Sequence, residues 1–585
     1  MSNFIRYDAI NFLKRLVTLA VLTISQVLLV DTVSAQVDDE IQAALKQFPN
    51  LKLVSIKEVT GKVHILKSQG LISNDLNGIS LQDSPPVLKR KLQPDRDQPK
   101  PYEAKGIGPF RLNYFNCQFN YGGRYNYQMQ DYAATHGFNS IYPFRRTTSQ
   151  ISALPTGTKI AQWKGISKYR DKWWEDHSLP KARYDLLNGD HFWSPADKKF
   201  KGKNIKQTDL LMLDMEHALP LETEKLKKQK WYPKTNQKEF SQRYYSGYAQ
   251  SLTSTIQAYR NHGYKALSIY GWSPQMRSWF PMLADKPLNR DLWEAYGKYV
   301  CDSVDVIHNS VYCPYANSKN VVFVLASIDE NVRRVQELDN PKPVRPYFWP
   351  LISGGGSGGF RWEKEVPHLN EDQEAMTAMA FFLGIDGLVI WNWSGKSSHH
   401  VASTQTFMGE PSKRTLMVSK SFRINDSTGQ AHLFSRYDYL HALDIQDGAI
   451  KFQKILPHMK KNNYGISPEQ PIFHTKYDLL TPFLRPRSEP VAAVVRAMAL
   501  IKPFELSIRS GTPQQDFNLR EAFRKNHPLY RRVKNRNYHL VITYNPHTIR
   551  SGVESNIIVE NFDGNQGLDL VFPADQHPRI YILSD

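Results

Sequence analysis

Two carboxylates set two residues apart, Asp214 and Glu216, close the stretch Thr208-Asp-Leu-Leu-Met-Leu-Asp-Met-Glu216. The apolar run from Leu210 to Leu213, bounded by polar residues, predicts a strand buried on both faces. Residues two apart on a strand share a side, about 7 Å apart along the chain. Asp214 and Glu216 would then face one space, with Met215 turned away. If the strand belongs to a parallel barrel, they stand at the end where such barrels keep their chemistry. Two crowded carboxyls repel when both are ionised, which raises the pKa of one. A proton-donating acid beside a charged carboxylate suits the cleavage of a glycosidic bond. An ion-paired strand end or a helix cap would use the same two residues, so the rest of the chain must choose.

The elements around this stretch predict what positions it. From Gly106 onward, strand-like and helix-like segments alternate, as in a parallel α/β architecture. Phe110–Phe115, Asn139–Phe144 and Lys159–Trp163 are expected as the first strands, with the run ending at Glu216 next. A helix is expected over Phe240–His262, where Tyr244, Tyr248, Leu252, Ile256 and Tyr259 recur every three or four residues and Gly263 stops it. Further strands are read at Ala266–Tyr270, Val304–Tyr312, Val344–Trp349 and Asp386–Trp393. Helices are read at Leu292–Tyr299, Asp329–Leu338 and Glu371–Leu383, and a last one within Tyr439–His458. The loop Ser353-Gly-Gly-Gly-Ser-Gly-Gly359 lacks the Gly-Lys-Ser/Thr ending of a phosphate cradle. It reads as a lid over a strand end or as a plain connection. Roughly seven or eight strand–helix units suit a (β/α)8 TIM-type barrel.

Composition bounds the rest. The chain has 585 residues, 41% hydrophobic and 12% aromatic, enough for a large core with appendages. Arg6, Lys14 and Arg15, an apolar run from Leu16 to Val30 and then Val33-Ser34-Ala35 have the order of a secretory signal, cleaved after Ala35. A secreted or periplasmic location is expected, with no integral membrane segment once the signal is removed. The domains expected are a signal peptide over 1–35, a small extension over 36–83, a Pro-rich linker over 84–105, the barrel over 106–484 and an all-β sandwich over 485–585. Val491–Leu506, Tyr538–Tyr544, Ser555–Glu560 and Arg579–Leu583 are read as its strands. That domain would brace the barrel or bind glycan, and bracing is the simpler role.

The net charge of +19 favours an anionic partner. No nucleic-acid motif accompanies it, so for an exported chain a sulfated or uronate-bearing polysaccharide is expected. The three cysteines, Cys117, Cys301 and Cys313, are too few and too scattered for a disulfide framework or a structural zinc site. They leave one disulfide or three buried thiols. His217, His399 and His400 have no supporting metal-ligand spacing, so neither metal nor cofactor is predicted.

Four strand ends resemble, in order, those of the hyaluronidase-type glycoside hydrolases: Leu213-Asp-Met-Glu216, Ile269-Tyr-Gly-Trp272, Asn309-Ser-Val-Tyr-Cys-Pro314 and Gly387-Leu-Val-Ile-Trp391. The aromatic strand Arg345-Pro-Tyr-Phe-Trp349 falls between the last two, and the resemblance covers about residues 106–400. It implies a distorted barrel that retains anomeric configuration, with the substrate's own 2-acetamido oxygen as nucleophile. It makes Glu216 the general acid/base and Asp214 the carboxylate that orients the acetamido group. It gives Tyr270 and Tyr312 the task of holding that group, and Trp391 the pocket floor. Trp272, Tyr347, Trp349 and Trp393, at the same strand ends, complete the expected substrate-binding set. The chain departs from the family pattern where Ser273-Pro-Gln275 stands in place of Pro-Asp-Cys, and where Met215 replaces an aromatic. A glycan without N-acetyl groups would need a protein nucleophile, and Asp214 could serve. Two other classes use the same residues: a non-catalytic carbohydrate-binding barrel, and a polysaccharide lyase with Tyr270 or His217 as base.

Overall fold

The computed structural model describes residues 31–56, 63–65, 103–122, 126–143, 146–165, 208–214, 223–230, 232–270, 293–312, 319–352, 366–368, 370–393, 415–419, 422–425, 430–434, 440–446, 449–454, 489–514, 528–545, 555–559, 562, 569–574 and 577–585. The chain enters through helix α1, residues 31–47, and two short strands, β1 (Leu53–Ser55) and β2 (Val63–Ile65). The barrel begins at β3 (Gln118–Gly122) and alternates from there: α2 (Asn126–Thr135), β4 (Ser140–Ile141), α3 (Thr148–Ser152), β5 (Lys159–Gly165) and β6 (Leu210–Asp214). It continues through α4 (Gln237–Asn261), β7 (Leu267–Tyr270), α5 (Lys298–Ser303), β8 (Val306–His308), α6 (Lys319–Val335), β9 (Tyr347–Phe348), the hairpin β10–β11 (Leu351–Ile352, Val366–Pro367), α7 (Asn370–Phe381) and β12 (Val389–Trp393).

The eight strands β3 to β9 and β12 pair in parallel and in chain order, and β12 returns to β3. Parallel bridges Ile307↔Val344 and Ser310↔Tyr347 join β8 to β9 and close the ring. The protein is therefore a (β/α)8 TIM-type barrel, with strands of unequal length.

Period-two alternation divides β6 between two cores. Leu210 and Met212 lie in the interior cluster with Ala161, Tyr270, Val306, Tyr347 and Val389. Leu211 and Leu213 face the helical layer with Tyr244, Tyr245, Ile256 and Tyr259 of α4. Helix α4 ends where its stripe does, at Gly263 with φ +94°.

Several segments differ from the sequence expectation. Phe110–Phe115 makes a single bridge, Phe110↔His136, and the first barrel strand is β3. The helix read at Asp329–Leu338 starts ten residues earlier, at Lys319, and ends at Val335 as α6, buried over most of Val321–Val335. The region expected to hold a last helix, Tyr439–His458, contains two strands of a five-stranded antiparallel sheet, β13 to β17 (Thr415–Ser419, Phe422–Asn425, Gln430–Phe434, Leu440–Gln446, Ala449–Lys454). Val491–Leu506 is no strand. Residues Glu489–Ile501 are helix α8, packed on α7. The Gly-rich loop 353–359 lies outside the described residues; its flanks pair as β10 and β11.

The C-terminal sandwich has a five-stranded sheet, ordered β1-β23-β20-β19-β18, over a three-stranded one, ordered β2-β22-β21. Its own strands are β18 (Thr512–Pro513), β19 (Leu529–Lys534), β20 (Tyr538–Tyr544), β21 (Ser555–Val559), β22 (Asp569–Ala574) and β23 (Arg579–Ser584). N-terminal β1 and β2 complete the two sheets in parallel with β23 and β22. One face of the larger sheet (Leu540, Ile542, Tyr544, Ile580, Ile582) joins α7 and α8 in the main core, and the other (Val541, Tyr581, Leu583) packs on the smaller sheet. Polar contacts tie the layers: the Tyr544 hydroxyl donates to Asp372 at 2.7 Å, and Arg496 of α8 pairs with Glu374 of α7. No helix among the described residues is long and apolar enough to cross a membrane.

Candidate active site

The carboxyl ends of the barrel strands gather the site in two layers. The deeper layer is buried and uncharged. At its centre the Tyr347 hydroxyl, fully buried, lies 2.6 Å from Met212 Sδ and accepts a bond from Asn120 Nδ2 at 3.4 Å. Gln118 Nε2 donates to Asn120 Oδ1 at 2.8 Å and approaches Met212 Sδ at 2.9 Å. On the far side, His308 Nδ1 is bonded to Ser268 Oγ at 2.9 Å, and the imidazole meets the Tyr347 ring edge-on at 5.2 Å. His308 Nε2 has no hydrogen-bond partner among the described residues. Burial, then the charge of Arg345, holds this histidine well below its ordinary pKa, so it is neutral at pH 7. Burial, then the nearby Asp214 carboxylate, pushes the Tyr347 phenol well above its ordinary value, so it stays protonated.

Among the described residues the upper layer is aromatic, with one acid. Asp214 ends β6 and is partly exposed. Because Leu210 and Met212 face inward, the alternation of the strand turns Asp214 the same way. In register it sits opposite Tyr270 on one side and Gly165 on the other, and Tyr270 sits opposite His308. Tyr270 is 3% exposed, with its hydroxyl 3.4 Å from Ser310 Oγ. Its ring lies 4.4 Å from Tyr347, 5.8 Å from Tyr312 and 6.4 Å from Trp391, nearly parallel to the last. Tyr312 continues the wall to Trp349 at 5.0 Å, and Trp391 continues it to Trp163 at 5.8 Å.

Of the residues expected from sequence, the structure brings Asp214, Tyr270, Tyr312, Tyr347, Trp349 and Trp391 to this one end of the barrel. Tyr270 and Tyr347 form buried support rather than open wall, while Tyr312, Trp349 and Trp391 are partly exposed. Glu216, Trp272 and His217 lie outside the described residues, as does the side chain of Trp393. Sequence reasoning passed over Asn120, Met212, Trp163 and His308. Only Trp163 carried a visible signal, as the aromatic closing the strand read at Lys159–Trp163. Cys117 and Cys301 are free and buried, so they form no disulfide with each other.

The rings of this aromatic wall can stack the C–H face of a sugar ring while the inward carboxylate stabilises positive charge developing on it. Fold and site together define the class: a (β/α)8 barrel with an acidic, aromatic-walled site at the carboxyl ends of its strands. Comparison with protein-family models and with curated proteins gives no match. Among solved structures the chain is similar to Amy13B of Eubacterium rectale, with 10% identity and a TM-score of 0.33 over 82% of this chain and 96% of that one. It is also similar to a chitinase from Chromobacterium violaceum ATCC 12472 (10% identity, TM-score 0.27, 48% of this chain and 94% of that one). A third is a GH18 chitinase from Pseudoalteromonas aurantia (16%, 0.26, 49% and 99%). The barrel assignment rests on the strand pairing itself, and these likenesses add no argument about activity.

Proposed function

We propose that this chain is an exported retaining glycoside hydrolase acting on a polysaccharide, with Glu216 as general acid/base and Asp214 as the charge-stabilising carboxylate. One observation carries the reading. Asp214 closes an inward-facing strand beside Tyr270, within a continuous wall of tyrosine and tryptophan at the carboxyl end of a closed parallel barrel. An oxocarbenium-like transition state needs negative charge beside it, a proton for the leaving oxygen and little competing water. Asp214 answers the first need, and the sequence puts Glu216 two residues further on for the second. The resemblance to the hyaluronidase-type enzymes suggests an acetamido-bearing ring at the reacting position. The net charge of +19 suggests that the polymer carries sulfate or uronate groups.

The test is a panel of uronate-bearing, sulfated and neutral polysaccharides given to the purified protein and to Glu216→Gln. The isostere keeps the shape and removes the proton, so hydrolysis should stop while the melting temperature stays put. Near-normal turnover by Glu216→Gln would refute the assignment. Products with an unsaturated, ultraviolet-absorbing end would identify a lyase instead.

A further inference from the structure

We infer that Trp163 is a substrate-binding residue of this site, forming with Trp391 an indole wall for the face of an uncharged sugar ring. The inference rests on the glycoside hydrolase reading and names a residue and a ring chemistry which that reading leaves open.

Strand β5 pairs with β6 residue by residue, Trp163 opposite Met212 and Gly165 opposite Asp214. Trp163 therefore stands one step deeper than the carboxylate, on the strand beside it, and Ala161 below it lies in the barrel interior. Burial distinguishes it from a core residue: Ala161 and Met212 are fully buried, whereas Trp163 is partly exposed, with its Nε1 buried against the interior cluster. A large ring on an inward-facing strand position that is not fully buried offers a face to stack on. Its neighbour is the partly exposed Trp391, at 5.8 Å with the planes tilted by 40°. Trp391 in turn runs nearly parallel to Tyr270, with ring centroids 6.4 Å apart.

Charge decides what the wall accepts. Among the described inward-facing residues at the carboxyl ends of the strands none is Lys or Arg, and Asp214 is the acid beside the wall. A sulfate or carboxylate set against the indoles would lose its hydration, gain no cation from these strands and be repelled by Asp214. A pyranose with an apolar C–H face and no charge suffers neither cost. If the polymer is anionic, its charged units bind at neighbouring positions.

The experiment compares wild type with Trp163→Ala, Trp163→Leu and Trp163→Phe. Binding of chitotetraose (uncharged) and of a hyaluronan octasaccharide is followed by calorimetry in a Glu216→Gln background, and turnover by reducing-end release without it. The expected result is that Ala and Leu weaken binding and raise KM about tenfold, with kcat changed less than about threefold, and that Phe recovers most of the loss. A merely structural role predicts that Leu, which fills the space, rescues as well as Phe. That outcome overturns the inference, as does unchanged affinity in Trp163→Ala. Should Ala fail to fold, the Leu and Phe pair decides. Loss of hydrolysis and binding in all forms, wild type included, would sink the hydrolase reading and this inference with it. Wild-type hydrolysis with indifferent Trp163 variants would sink this inference alone.

Discussion

Replacing Arg496 with Met should turn a buried ion pair into a buried lone carboxylate, and its effect should depend on pH in the sense opposite to wild type. Arg496 Nε meets Glu374 Oε1 at 2.5 Å, with side chains 5% and 3% exposed, at the contact of α7 and α8. His577 Nδ1 lies 3.5 Å from the other Glu374 oxygen. Burial by itself would raise the Glu374 pKa, but the charge of Arg496, followed by His577, pulls it below the ordinary value. In wild type its contribution is thus present above the usual carboxylate range and lost only as pH falls through the depressed value. Nothing changes between pH 7 and pH 5. In Arg496→Met desolvation is left opposed only by His577, the folded pKa rises, and a penalty appears above it that acidification relieves. Breaking such a pair costs about 3–5 kcal/mol. Protonation caps that cost: holding a carboxyl of ordinary pKa ~4.3 neutral takes about 3.7 kcal/mol at pH 7 and about 1 kcal/mol at pH 5. At roughly 2 °C per kcal/mol, the melting temperature should drop by roughly 7 °C at pH 7 and roughly 2 °C at pH 5. Differential scanning calorimetry at the two pH values reads this directly. The double variant Arg496→Met/Glu374→Leu should recover most of the pH 7 loss. An equal drop at both pH values, or a double variant no better than the single, would refute the reasoning.

Gly387→Ala should prevent folding to a soluble protein: Gly387 has φ +150°, and a Cβ there would fall 1.9 Å from the Asn116 carbonyl oxygen, leaving no room just ahead of β12. Soluble yield with normal melting would contradict this. Burial pushes the Cys117 thiol up to about 12 and raises Cys301 too, so neither should react with a thiol reagent at pH 8 until denaturant is added. Peptide mass mapping of the labelled native protein checks both, and rapid native labelling of either would show that its surroundings open.

How much of the fold was legible depended on whether an element has a wet side. Helix α4 has one, so its buried Tyr244, Ile256 and Tyr259 recur at helical spacing and Gly263 marks its stop. Helix α8 has none: it lies against α7 and under the sandwich, so Val491–Val495 is a continuous apolar run that reads equally as a strand. The first half of helix α6 hid for the same reason, and α7 buries its polar first turn, where Tyr544 bonds Asp372 and Arg496 pairs with Glu374. Those partners lie more than 100 residues away in the chain, beyond any local pattern.

The sequence by itself determined the buried strand that carries Asp214, the aromatic residues closing its neighbours, and the order in which they follow. These are local properties, because alternation and strand ends are written within a few residues. Only the tertiary structure decided that the eight strands close, with Tyr270 and Tyr347 sealed beneath the rim and Trp163 and Trp391 set side by side on it. It also enrolled β1 and β2 in sheets formed with strands near the far end of the chain. The physical reason is that register across a closed ring, unlike pattern along a strand, is fixed by hydrogen bonds and packing between segments distant in sequence.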